Sequence, residues 1–325
     1  MNYAPVLAAS RSPSPAARCD KAMRLYLLRS LLSPIVSTRW ARFIRRYHDA
    51  FEAGPPPARV LLKPLRSYVH LRLGPVGRFE VLREHYRLFR RLFSRECVRR
   101  VCAGEPIVVA ELAARKGSVY CLAIVASTRV SMQREGELAI ILVKRGGEAP
   151  VSKLSLAFAR VDGRLAVLIG GLQGPSAGHK RDVIDATREL YGLRPKDAIL
   201  LAARAFAKAI EATSVHAIAN RHHVLDRLNG ASKLADYDAY WRERGAAPGG
   251  PLGFVFRPLD EVAAGSVGRD AVKATIVTAM QRFVAEHAKA ADAEALDGIV
   301  RTGGRPRCFS SLRRRCGSSP RRARC

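Results

Sequence analysis

No apolar run in this sequence approaches the roughly 18 residues that a membrane-spanning helix needs. The longest, such as 165–169 and 138–143, have the length of strands. The N-terminus, MNYAPVLAASRSPSPAARCD, lacks a charged segment followed by an apolar one, so no secretory signal is expected. A cytoplasmic protein is the expectation. The seven cysteines, Cys19, Cys97, Cys102, Cys121, Cys308, Cys316 and Cys325, contain no CxxC pair. Their odd number and irregular spacing indicate neither a zinc module nor a disulfide framework. Buried thiols in a reducing compartment fit better. GPSAG (174–178) has the GxSxG spacing, but a hydrolase of that type is not the expectation. Acidic residues are also scarce, 28 against 56 basic ones.

The resulting formal charge of +28 points first to nucleic acid or an anionic membrane. Arginine outnumbers lysine 45 to 11, however, a bias that GC-rich codons produce without selection for binding. The segment 301–325 alone holds nine arginines and no acid. The remaining excess is diffuse, and no RNA- or DNA-binding motif accompanies it, so nucleic acid ranks last among partners.

At 325 residues, 48% of them apolar, the chain is long enough to bury a full-sized core. Residues 1–20 and 301–325 are expected to be disordered, because they hold too few apolar groups to offset chain ordering. Between them, 21–100 reads as helical and 105–300 as sheet plus helices. Two short helical patterns in 21–50 break at Pro34, with Leu25, Leu28 and Leu32 on one face of the first. FEAGPPPARV (51–60) reads as a linker without helix. The segment 78–95 is the clearest amphipathic helix: Phe79, Leu82, Tyr86, Phe89 and Phe93 form a stripe opposite Arg83, Arg87, Arg90, Arg91 and Arg95. It would lie on acidic lipid or, more simply, pack its stripe in the core.

From 107 the period becomes that of strands, with candidates at 107–113, 119–127, 138–143, 151–159 and 164–170. Asp162-Gly163 is a tight-hairpin signal between the last two. Helices follow at 181–190 and 195–212, then strands at 214–219 and 254–256, then helix over much of 261–300. The expected class is α+β, with a central antiparallel-rich sheet, flanking helices and a helical N-terminal region.

HYRLFRRLFS (85–94), IGGLQG (169–174), RELYGLRPKDAILLAARAFA (188–207), VHAIANRHH (215–223) and ADYDAYW (235–241) follow one another in an order that resembles the VirK/YbjX family, which carries the domain DUF535. The resemblance spans roughly 23–299. It implies a bacterial cytosolic protein associated with virulence and with tolerance of bacteriocins or antimicrobial peptides, and it brings no assigned catalytic residues.

Three clusters are candidates for chemistry. The first is the loop Gly170–Gly178 with His179, Lys180 and Arg181 behind it. Amides of Gly171, Gln173, Gly174 and Gly178 ahead of a helix, with Lys180 and Arg181, would cradle a phosphate. The pattern is neither a Walker A loop nor GxGxxG on a βαβ unit. The succession of meander, glycine-rich loop, helix, strand and Asn220 looks like a GNAT-type acyltransferase, in which such a loop holds the pyrophosphate of acyl-CoA. The competing reading is a glycine turn shaped for close packing.

The second cluster is His216, His222, His223 and Asp226, with Asn220 a further catalytic candidate. Its spacing matches no metal motif, so no metal is expected. One histidine, or Glu211, would serve as general base in an acyl transfer beside Asn220. The third is Asp236, Tyr237, Asp238, Tyr240 and Trp241, which would line a pocket for an amine or a sugar or cap and bury a helix. The expected function is acyl transfer to an envelope precursor or protein. The alternatives are a non-enzymatic regulator or interaction protein, then a binder of anionic membrane or nucleic acid.

Overall fold

The computed structural model describes residues 15–147, 149–175, 180–225, 236–257, 259 and 267–289, with side chains from 21 onward. The expectations for 1–14 and 301–325 lie outside the described residues, whereas residues 15–20, expected to be disordered, open the first helix. Among the described residues, no helix is long and apolar enough to cross a membrane.

The helical region opens with α1 (Pro15–Leu32) and α2 (Pro34–Ala50), which part at Pro34 as expected. The proline-rich segment is not free of helix throughout: α3 (Ala58–Leu61) begins directly behind Pro57. Proline excludes helix only ahead of itself, and its fixed φ suits the residue that precedes a first turn. α4 (Pro75–Leu92) starts and stops three residues earlier than the 78–95 pattern indicates. Phe93 turns extended, and Ser94 caps a new helix, α5 (Arg95–Ala103), by accepting from the Cys97 amide. The aromatic stripe of α4 is core: Phe79, Leu82, Tyr86 and Phe89 are all buried.

One eight-stranded sheet follows in the order β1-β2-β3-β4-β5-β6-β8-β7. β1 (Ile107–Ala113), β2 (Val119–Ala126), β3 (Leu138–Lys144), β4 (Ser152–Val161) and β5 (Arg164–Gln173) form an antiparallel meander. The β4–β5 turn has both Asp162 and Gly163 at positive φ, 52° and 81°, as a two-residue hairpin of that twist requires. The chain then crosses over through α6 (Lys180–Glu189) and α7 (Pro195–Ala209), and β6 (Ser214–Ile218) pairs parallel to β5. A parallel partner needs such a crossover. After α8 (Tyr237–Glu243), the short β7 (Ala247–Gly249) and β8 (Gly253–Phe256) close the far edge antiparallel. Of the expected 261–300 helix, the described part is α9 (Gly268–His287).

One face of the sheet carries most of the core. Phe158 of β4 stacks with His85 of α4, Phe93 and Phe206 of α7, while Phe283 of α9 packs against Phe93 and Phe206. Such ring pairs add to ordinary apolar burial. The opposite face has a smaller cluster built on Ala123, Val125, Ala139, Ile141 and Val143, covered by Val130 and Met132.

β5 differs most from its expectation. The sequence pattern ends it at Gly170, but it continues through both glycines to Gln173. Ser155 pairs with Gly171 and Leu156 with Ile169, so Gly170 is the extra residue of a bulge.

Candidate functional site at the ends of β5 and β6

β5 and β6 pair only from Ala166↔Ser214 to Ile169↔Ala217. Beyond Ile169 the strands part, and this is the one parallel pair in the sheet. A crevice at the carboxyl ends of parallel strands is where open sheets bind ligands. The glycine-rich segment leaves β5 there, and α6 starts at Lys180 with Lys180 and Arg181 exposed.

The floor is occupied by a residue absent from the sequence expectations. Glu135 is buried, and its carboxylate accepts from Gln173 Nε2 at 2.8 and 3.0 Å. A Cβ at Gly171 would collide with that carboxylate, and one at Gly170 with the Glu135 carbonyl oxygen. The double glycine therefore lets an acid lie on the strand, and Gln173 anchors it. His223 Nε2 stands 3.5 Å from Glu135 Oε1, and its ring packs edge-on against Tyr237 at 5.1 Å.

Tyr237 fills the split itself. Its hydroxyl donates to the Leu172 carbonyl at 3.0 Å and accepts the Leu172 amide at 3.2 Å. These are the backbone groups that β6 leaves unpaired. Burial first, then the nearby Glu135 charge, raise the Tyr237 phenol well above its ordinary range. Asn220 ties the end of β6 to the start of α8. Its side chain donates to Asp236 Oδ1 at 2.7 Å and accepts the Tyr237 amide at 3.1 Å. Its own amide donates to Asp238 Oδ1 at 2.7 Å. Asp236 caps α8 through the Ala239 amide at 3.2 Å. Trp241 is fully buried and donates to the Ile218 carbonyl at 2.9 Å. Tyr240 donates to Asp197 of α7 at 2.8 Å.

The expected residues thus divide. Gly171, Gln173, Gly174, Asn220, His222, Asp236, Tyr237 and Asp238 gather at this end. Glu211 is exposed in the turn after α7, before β6 begins, so the length of β6 separates it from Asn220. His216 is buried within β6, its Nε2 2.9 Å from Ser214 Oγ and its ring against Gly250. Gly178, His179 and Asp226 lie outside the described residues. Among the described residues, no group of three or more His, Cys, Asp or Glu side chains is placed to hold a metal ion.

His222 is buried and lies with its ring 4.4 Å from that of His70. Burial, then neighbouring charge, push His70 down to about 3 and His222 down to about 4. Both rings are therefore neutral near pH 7. The sequence gives little warning of Glu135. QREGE (133–137) reads as a solvated turn, yet both glutamates are buried. The second, Glu137, pairs with buried Lys63 at 2.6 Å and accepts from Tyr86 at 2.7 Å.

The fold defines an α+β protein with one mixed sheet that has, among the described residues, one parallel strand pair. Residues 17–261 match the family model described as "Protein of unknown function (DUF535)", and the chain belongs to that family, as its VirK/YbjX-like motifs lead one to expect. It is similar to "Uncharacterized protein YbjX" of Escherichia coli (strain K12), with 27% identity over 226 residues, 68% of this chain and 67% of that protein. No solved structure gives a significant match.

Proposed function

We propose that the crevice at the ends of β5 and β6 binds acyl-CoA and that the chain moves the acyl group onto an amine of an envelope precursor or protein, in a GNAT-like manner. The observation that carries this reading is the strand arrangement. An antiparallel meander delivers one glycine-rich strand to one parallel neighbour, and their pairing ends at Ile169, ahead of the point where the loop leaves β5 at Gln173. Gly171 and Gln173 belong to β5, so past its end the Gly174 amide and the cations Lys180 and Arg181 are the groups that suit a pyrophosphate.

The chemistry asked of the protein is modest. The amine nitrogen attacks the thioester carbonyl carbon, and the carbon–sulfur bond breaks. The amine proton passes to an imidazole and the thiolate leaves as the thiol after taking a proton. His223 beside Glu135 is the favoured acceptor, because the carboxylate offsets the charge the ring gains. A role in virulence and in tolerance of bacteriocins or antimicrobial peptides belongs to the same reading, through envelope modification.

A second reading, a non-enzymatic regulator or interaction protein, is favoured by one observation. Asn220, Asp236, Tyr237 and Asp238 already spend their hydrogen bonds on one another and on the backbone. Mass spectrometry of protein purified gently from its native host separates the two. A CoA thioester in stoichiometric amount supports acyl transfer; purification free of any CoA derivative favours the regulator.

A further inference from the structure

A cavity lies on the other side of the 131–137 turn. Its volume is about 280 Å³, and its walls come from α1, the segment 59–66 and residues 131–134. Lys21, Arg59, Arg66 and Arg134 give it a cationic lining, and Leu25 and Leu62 an apolar one. No acidic side chain lines it among the described residues. Two further cations stand against this group: Arg29, held by the Leu65 carbonyl at 2.8 Å, and Arg78, which donates to the Pro64 carbonyl at 3.4 Å. Arg134 is fixed by the Ser67 carbonyl at 3.3 Å and the Val224 carbonyl at 3.0 Å. Carbonyls orient these guanidinium groups without neutralising them.

The cost of that arrangement is visible. Burial, followed by the charge of neighbouring arginines, lowers Arg66, Arg78 and Arg134 from their ordinary values. Among the described residues none of Arg29, Arg59, Arg66, Arg78 and Arg134 forms an ion pair. The buried Nε of Arg78 has no hydrogen-bond partner there. Like charges gathered around a cavity repel one another unless an anion joins them.

The second observation lies beside the first. Leu25, Leu28 and Leu32 share one face of α1 at helical spacing. Leu25 is a wall of the cavity, while Leu28 and Leu32 continue outward on the same face, 63% and 82% exposed. Leu27, Leu31 and Ile35 are exposed beside them, at 58%, 78% and 67%. A leucine surface of this kind, contiguous with a cationic cavity, matches the two parts of a phospholipid.

We propose that this cavity takes the phosphate of an anionic lipid headgroup while the leucine face of α1 rests among the acyl chains. The membrane-facing surface is then α1, not the arginine face of α4. The inference does not rest on acyl transfer, because the cavity and the β5/β6 crevice share no lining residue.

Co-sedimentation of the full chain with vesicles tests it. Vesicles of mixed phosphatidylcholine and phosphatidylglycerol should retain the protein, and phosphatidylcholine alone should not. Arg66→Gln should weaken partitioning about fivefold, the worth of one cation at an anionic surface. The exposed pair Leu28→Gln with Leu32→Gln should weaken it roughly tenfold or more without changing the melting temperature. Arg282→Gln on α9, which removes a charge from a helix packed on α7 and β1, should change it less than about twofold. Equal loss with Arg282→Gln would reduce the effect to net charge and overturn the site. The proposal also fails if glycerol phosphate in solution binds while vesicles do not. It fails again if the leucine pair proves to hold a dimer that Leu28→Gln and Leu32→Gln dissociate without any vesicle binding.

Discussion

Glu135 lies on a strand where any side chain but hydrogen would meet it. Gly171→Ala should therefore destabilise the protein by about 1–3 kcal/mol, the usual cost of overpacking. Combining it with Glu135→Ala should recover part of that loss, since the two sites are in contact. Urea denaturation of the two single variants and the double variant measures the coupling; strict additivity would contradict the contact. Lys63 and Glu137 make a similar point more severely, both being buried. Lys63→Met leaves a carboxylate without its cation and should cost about 3–5 kcal/mol, whereas adding Glu137→Gln should return most of it. The stacked histidines supply a pH dependence. His70 and His222 have depressed values in the folded protein, so the unfolded chain binds their protons first. Their contribution is complete above the ordinary histidine value near 6.5 and is lost as pH falls from there toward about 4 and about 3. Each adds about 1.4 kcal/mol per pH unit to the slope of stability across that window. Stability of His70→Asn with His222→Asn, followed by denaturant titration from pH 7 to pH 5, should fall less steeply than the parent. An unchanged slope would assign the histidines another environment.

At the scale of elements, the region around α8 behaves as a latch. Asn220 holds the first turn of α8 to the end of β6, and Trp241 fastens the same helix to Ile218. Asn220→Ala should loosen this latch by about 1–3 kcal/mol, because it strips two hydrogen bonds, one of them to a carboxylate. Hydrogen exchange should then quicken in α8 and β6 before the meander responds; uniform quickening would mean that α8 is not a separate unit. The strands of the meander were readable from short apolar runs rich in β-branched residues and from the turns between them, because each is held within one sheet by local hairpins. The parallel β5–β6 contact was not, since it depends on where a crossover returns the chain. β7 was invisible for another reason: Ala247-Pro248-Gly249 has neither alternation nor bulk, and it exists only as an edge partner of β8. The glycine pair was noticed as a loop and is a strand, because what shapes it is an acid some thirty-five residues earlier in the chain.

For the whole molecule, the sheet and the helices on its main face form one continuous core from Trp40 to Val284. The sequence pattern set Asp236, Tyr237, Asp238 and Trp241 apart from Asn220; the structure joins Asn220 to the two acids and the Tyr237 amide by hydrogen bonds, and their polarity mostly serves that core. QREGE hid the buried carboxylate of the crevice, since solvated turns and tight buried turns share a composition. The account's central claim is that the loop after β5 receives acyl-CoA. Gly174 allows this to be tested without disturbing the core: an added Cβ there meets only Lys196 Cε, at 3.9 Å. Calorimetric titration of acetyl-CoA into the full chain and into Gly174→Val is the direct measurement. The account predicts saturable binding by the parent and at least tenfold weaker binding by the variant, at an unchanged melting temperature, with about 1.4 kcal/mol corresponding to each factor of ten. Absence of binding by the parent, or equal binding by both proteins, would contradict it.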